Sequence, residues 1–201
     1  MSVLVGRSAP DFTAPAVLGS GEIVSDFNLH HDIKDKYGLV FFYPLDFTFV
    51  CPSELIALDH RMDDFISRGV KVVAVSIDSH FAHNAYRNTA IKDGGIGPVK
   101  FTLVADITHA ICRAYGVEHP TAGVALRGAF IIDKKGNVRS QVVNDLPIGR
   151  NIDELLRIVD AVQFSDEHGE VCPAGWKKGD SGMKASPQGV AAYLSEHAES
   201  L

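Results

Sequence analysis

An α/β domain with a mixed central sheet and a C-terminal arm is the fold class that this 201-residue chain predicts. Three observations point to it. First, β-branched apolar runs alternate with stretches whose apolar residues recur at helical spacing, in the order β-α-β-α-β-α. Second, a hairpin signal and one more helix follow, so the sheet must hold parallel strands and at least one antiparallel pair. Third, the composition shifts after Phe164 toward Gly, Lys and Ser. The expected organisation is one domain over residues 1–164 and an arm over 165–201, with no internal repeat.

The elements follow in order. Residues 1–35 are turn-rich, with Gly19 and Gly21 between short apolar stretches, and predict a small N-terminal hairpin. GLVFFYP (38–44) is a continuous apolar run, the pattern of a strand covered on both faces. Leu55, Leu58, Met62, Phe65 and Ile66 recur at helical spacing, and Gly69 supplies a stop. VKVVAVSID (70–78) reads as strand, His80–Ala90 as helix and DGGIG (93–97) as loop. FTLVADI (101–107) reads as strand, and THAICRAYGV (108–117) as a short helix ended by Gly116. LRGAFIID and NVRSQVV flank a Lys-Lys-Gly turn and predict a hairpin. Asn151 is placed to cap a helix with Ile152, Leu155, Leu156, Val159 and Val162 on one face. In the arm, Ser186-Pro187 has the form of an N-cap followed by proline at the first helical position.

Composition bounds the function. Apolar residues make up 46% of the chain and charged residues 22%, as in ordinary soluble globular proteins. A net charge of −6 gives no electrostatic reason to bind nucleic acid or an anionic membrane. No apolar run is long enough to span a bilayer. MSVLVGRSAPDF lacks the cationic start and long apolar segment of a secretory signal, so a cytoplasmic location is expected. The three cysteines, Cys51, Cys112 and Cys172, form no Cys-x-x-Cys pair and no disulfide framework.

Cys51 carries the strongest chemical signal. In FFYPLDFTFVCPSELIAL (41–58) it stands where buried strand gives way to helix, between Thr48 and Pro52. Either Thr48 caps a helix whose first turn holds Cys51, or the helix begins at Pro52. Both arrangements put the sulfur near unpaired N–H groups at the positive end of a helix dipole, which favours the nucleophilic thiolate. Cys172 lies in EVCPAGW, whose composition implies an exposed turn, suited to a thiol that travels to an oxidised partner. Cys112 sits among apolar residues of a short helix and reads as core. Arg127 opens an otherwise apolar strand. It is either a strand-end arginine reaching solvent or a buried cation used by a site. His80 and His83 lack a third ligand nearby and read as surface or capping histidines rather than a metal site. Asp93–Gly97 lacks the Lys-Ser/Thr of a phosphate loop. The acidic run Asp59–Asp64 reads as a solvated helix face.

FFYPLDFTFVCP, SIDSHFAH, GGIG, RGAFIID and EVCPAGW, in this order, resemble the typical two-cysteine peroxiredoxins over essentially the whole chain. The specific part is Pro44-x-x-x-Thr48-x-x-Cys51, together with a Val-Cys-Pro triplet around both Cys51 and Cys172. The resemblance implies a thioredoxin-like fold and a thiol-dependent peroxidase acting on hydrogen peroxide and organic hydroperoxides. It implies that Cys51 attacks the peroxide and becomes a sulfenic acid. Pro44 shields it, Thr48 hydrogen-bonds the thiolate or peroxide, Arg127 stabilises the thiolate and aligns the peroxide, and Glu54 supports the arginine. Cys172 of the other subunit then resolves the sulfenic acid into a disulfide, in a homodimer that assembles into a ring of five dimers. The implied reductant is thioredoxin or a dedicated flavoprotein reductase, and no metal, haem or flavin is implied as a cofactor. Tyr86 stands where many relatives have tryptophan, GGIG replaces GGLG, and Tyr193-Leu194 replaces the Tyr-Phe of overoxidation-sensitive members. A holdase chaperone and a redox relay are the alternative functions.

Overall fold

The apolar run at 38–44 lies at the heart of the sheet. In this computed structural model, which describes residues 3–200, the chain order begins with β1 (Thr13–Val17), β2 (Ile23–Asn28), the one-turn α1 (Leu29–Asp32) and β3 (Tyr37–Phe42). It continues with α2 (Cys51–Asp59), α3 (Met62–Ser67), β4 (Val70–Ser76), α4 (His80–Asn88), β5 (Thr102–Ala105) and α5 (Ala110–Ala114). It closes with β6 (Arg127–Ile132), β7 (Val138–Asn144), α6 (Ile152–His168) and α7 (Pro187–His197). The seven strands form one sheet in the order β2-β1-β5-β4-β3-β6-β7. β3, β4 and β5 run parallel, and the remaining pairs are antiparallel, including both expected hairpins. Every residue of β3 is buried, which is why its sequence shows no polar alternation. On one side of the sheet Phe42, Tyr115 and Phe130 pack with ring centroids 4.9–5.8 Å apart, two of the three pairs near edge-on.

The helical stretch after Cys51 is two helices rather than one. The Arg61 amide donates to the Leu58 carbonyl at 3.1 Å, an i→i−3 bond that tightens the turn and ends α2 before α3 starts. The buried positions Cys51, Glu54, Leu55, Leu58, Met62 and Phe65 keep helical spacing across the break, so periodicity does not reveal it. The GGIG loop has a backbone reason for its glycines. Gly94 and Gly97 have φ of +87° and +70°, and a β-carbon on Gly95 would fall 2.1 Å from the Thr89 carbonyl oxygen.

The chain divides into two compact units between Ile152 and Asp153, which groups α6 with the C-terminal residues. Within the second unit Trp176 is buried, its ring 4.8 Å from that of Phe164, and its indole N–H donates to the Asp180 carbonyl. Ser186 caps α7 as its sequence suggests, accepting from the Gly189 amide at 3.0 Å.

Candidate active site

Cys51 is the first residue of α2. Of the two starts the sequence allows, the structure takes the one with the cysteine inside the helix. Thr48 is not its cap: the Thr48 hydroxyl donates to the Leu45 carbonyl at 2.9 Å, and no side chain caps α2. Pro52 occupies the first turn, where a missing N–H breaks no intrahelical bond. The uncapped start leaves the positive end of the helix dipole beside the fully buried Cys51 side chain. Pro44 is buried at the beginning of the loop that leads there.

Register brings Arg127 to the sulfur. β6 runs antiparallel to β3 with Phe41 opposite Ala129, so Arg127, two residues before Ala129, falls at the carboxyl end of β3. Its Nη1 donates to Cys51 Sγ at 3.5 Å and to Glu54 Oε2 at 2.7 Å, while Nε donates to the Leu146 carbonyl at 2.6 Å. Arg127 is therefore a buried site residue and not a strand-end arginine in solvent. Glu54 follows Cys51 by one helical turn and shares its face. A second arginine completes the cluster. Arg150 donates to Glu54 from its backbone amide, Nε and Nη2 at 2.7, 2.8 and 3.0 Å, and to the Gly128 carbonyl from Nη1 at 2.6 Å. Its guanidinium lies 3.3 Å from the centre of the Phe41 ring.

Glu54 thus holds two buried guanidinium groups with one carboxylate. Burial pushes the Glu54 carboxyl up, but the Arg150 hydrogen bonds and charge, with Arg127 behind them, outweigh it and hold the carboxyl below its usual range. Burial pulls Arg150 down, and Glu54 opposes that. Two cations and one anion leave the cluster with one net positive charge, and Arg127 brings that charge to within 3.5 Å of the Cys51 sulfur. In a buried site an unmatched positive charge of this kind is strongly unfavourable and attracts an anionic group.

The loop between β3 and α2 is clamped from beneath. His83, on α4, is fully buried and bonds Asp46 Oδ2 through Nδ1 at 2.8 Å and the Val104 carbonyl through Nε2 at 3.1 Å. Tyr43 donates to Asp46 Oδ1 at 2.7 Å, and the Asp46 amide donates to Asp78 at 2.9 Å. The sequence reading of His83 as a surface or capping histidine is therefore overturned: the helix face that carries it turns onto the loop. Arg150 and the His83–Asp46 pair are the residues that sequence reasoning missed. The one available signal was the distribution of charge in otherwise apolar surroundings, at PIGR (147–150) and YPLD (43–46).

The other two cysteines differ from Cys51. Cys112 is core, as read: burial, then the Asp106 charge, push its thiol up to about 12, and its S–H faces the His109 carbonyl at 3.3 Å. Cys172 is half-buried rather than openly exposed. Beside it Val171 bridges Met183, and its own S–H faces the Ala161 carbonyl at 3.4 Å. Burial raises the Cys172 thiol, and the Arg157 charge opposes this.

Residues 5–141 match the AhpC/TSA family, and residues 161–196 match the C-terminal domain of 1-Cys peroxiredoxin. Alkyl hydroperoxide reductase C of Helicobacter pylori is 55% identical over 199 residues, covering 99% of this chain and 100% of the relative. Peroxiredoxin-2 of Mus musculus is 50% identical over 193 residues, 96% of each chain. The structure of reduced 2-Cys peroxiredoxin from Plasmodium vivax superposes with a TM-score of 0.93 at 48% identity, covering 96% of this chain and 100% of the other. The mixed sheet and its helices are accordingly those of the thioredoxin fold, and a peroxide is the substrate. With a cysteine set against a buried cationic cluster and relatives matched along nearly its whole length, the chain belongs to the AhpC/TSA family: it is a peroxiredoxin, a thiol-dependent peroxidase.

Proposed function

We propose that Cys51 is the peroxidatic nucleophile, that Cys172 of a second subunit resolves its sulfenic acid, and that hydrogen peroxide and organic hydroperoxides are both reduced. The observation that carries this reading is the unmatched positive charge of the Glu54–Arg127–Arg150 cluster against the Cys51 sulfur. The thiolate attacks one peroxide oxygen, the O–O bond breaks, and negative charge develops on the departing oxygen. Fixed donors aimed at that charge stabilise the transition state. Arg127 supplies them: Nη1 faces the sulfur, and Nη2 makes no hydrogen bond among the described residues. Thr48 gives its proton to Leu45, so its oxygen is an acceptor for the O–H of the incoming peroxide. Pro44, buried at the loop start, shields the pocket from water. The departing oxygen leaves as alcohol or water with one proton, and Cys51 keeps one oxygen as sulfenic acid. Condensation with the Cys172 thiol releases water and forms the disulfide.

The working unit in this reading is a homodimer, assembled five to a ring. Thioredoxin is the reductant, with a dedicated flavoprotein reductase as the alternative. Non-reducing electrophoresis after one equivalent of peroxide tests the pairing. A covalent dimer is expected in the wild type and in neither Cys51→Ser nor Cys172→Ser, whereas a monomer with an internal Cys51–Cys172 disulfide overturns it. NADPH consumption with each reducing system separates the two donors.

A further inference from the structure

Tyr86 carries the one buried side-chain hydroxyl without a hydrogen-bond partner among the described residues. The side chain is fully enclosed. It sits on α4 one turn after His83, on the face that lies along the loop leading to Cys51. Its ring packs on Phe47 with centroids 4.6 Å apart. Phe47 has φ of +52°, a conformation an aromatic residue rarely adopts, so the surrounding contacts hold this loop in one shape.

The carboxylates near the hydroxyl are already engaged. Asp46 accepts from Tyr43 and His83, and Asp78 accepts from Ser76 and the Asp46 amide. Burial, followed by the charges of Asp46, Cys51 and Asp78, pushes the phenol well above its usual range; the Phe47 amide, facing the phenol oxygen outside hydrogen-bond geometry, opposes this weakly, and as a donor it offers the O–H no acceptor. Tyr86 is therefore a protonated donor, within electrostatic reach of Cys51, that has no acceptor while the cysteine is reduced. A buried donor in that state is unfavourable. Oxidation changes the acceptor count at the site, because the sulfenic form of Cys51 brings one oxygen and the sulfinic form two.

We propose that the Tyr86 hydroxyl is a positioning donor for the oxygen that Cys51 acquires, holding the oxidised cysteine inside folded α2. The proposal rests on the peroxidatic reading of Cys51. The thiolate and a peroxide give sulfenic acid and an alcohol or water, with one proton taken up. From there two paths compete. Condensation with the Cys172 thiol releases water and requires the sulfur to leave the pocket, since a disulfide needs the two sulfurs at ~2 Å. Alternatively, the sulfenate attacks a second peroxide, breaks its O–O bond and becomes sulfinate, releasing an alcohol or water. A hydrogen bond from Tyr86 stabilises the folded oxidised state, so it slows the first path and favours the second.

Tyr86→Phe tests this, because it keeps the ring and deletes the hydroxyl. The reduced variant should be at least as resistant to urea as wild type, and its first oxidation rate should be unchanged. Disulfide formation should accelerate about fivefold, the weight of one ordinary hydrogen bond, and the sulfinic fraction of Cys51 at a given peroxide excess should fall to match. Cys51→Asp, which places two oxygens where the sulfinate would be, gives a readout free of catalysis: in that background Tyr86→Phe should lower the urea midpoint, unlike in wild type. Equal disulfide rates and sulfinic fractions overturn the proposal, as does lost stability in reduced Tyr86→Phe, which would mean the hydroxyl is bonded before oxidation. If a sulfenic-acid probe never labels wild-type Cys51, the peroxidatic reading falls, and the proposal falls with it.

Discussion

Replacing Glu54 with glutamine removes one charge and almost no volume from the centre of the site. Four hydrogen bonds end on this carboxylate: Arg127 Nη1 at 2.7 Å and the Arg150 amide, Nε and Nη2 at 2.7, 2.8 and 3.0 Å. In glutamine one oxygen becomes an NH2 group, so part of this set turns into donor facing donor. Two guanidinium groups, both almost fully buried, then share a site with no carboxylate. Breaking a buried pair from one side costs about 3–5 kcal/mol, and the four bonds do not sum beyond that because the freed arginines relax. At about 2–4 °C per kcal/mol for a chain of this size, the melting temperature should fall by about 6–20 °C. The assay is urea and thermal unfolding of reduced Glu54→Gln and wild type at one protein concentration. The pH dependence gives a second check. The folded Glu54 value is lowered, so its stabilisation is complete above the ordinary carboxyl range near ~4.3 and fades as pH falls through the lower folded value. Glu54→Gln should lack that segment of the acid-unfolding curve. A loss below about 1 kcal/mol together with an unchanged acid limb would refute the account of Glu54 as counter-ion to both arginines.

Three further outcomes are expected. Cys51→Ser should abolish peroxide-dependent oxidation of the reductant, and Cys112→Ser, in the core with its thiol pushed to about 12, should leave turnover within about twofold of wild type; a coupled NADPH assay measures both. Arg127→Lys should slow the reaction with peroxide by at least ~10²-fold, because one ammonium cannot face the sulfur, Glu54 and the departing oxygen together; stopped-flow oxidation at stoichiometric peroxide reads this directly. Disulfide formation should quicken by close to tenfold per pH unit through neutrality, because Cys172 attacks as thiolate and its thiol is raised above the usual range; a flat profile between pH 6 and pH 8 (roughly the span below an ordinary thiol pKa) would point to another rate-limiting event.

Local physics was legible in the chain before any coordinates. The continuous run at 38–44 is the fully buried β3, the hairpin signals are real hairpins, and Ser186-Pro187 opens α7. Each depends on neighbours a few residues away, through side-chain period, turn chemistry or capping. The chemical position of Cys51 was legible for the same reason, since a helix start and a flanking proline are local features. Glu54 follows it by one turn. The break between α2 and α3 was not visible, because the buried positions keep their spacing across it.

What the sequence by itself determined is the order of strands and principal helices and the cysteine that stands at a helix start. Tertiary structure alone decided which charges that cysteine meets. Arg127 lies 76 residues from Cys51, and from sequence it was equally a solvated strand end; the β3–β6 register turned it inward. Arg150 lies 96 residues from Glu54 in a loop that carries no periodic signal, and His83 looked like one surface histidine of a pair. A charged side chain in a sequence carries no mark of whether it will be desolvated. That depends on which distant strands pair and which helix face turns onto which loop. Only after they have done so does burial make each unpaired charge expensive enough to select its partner.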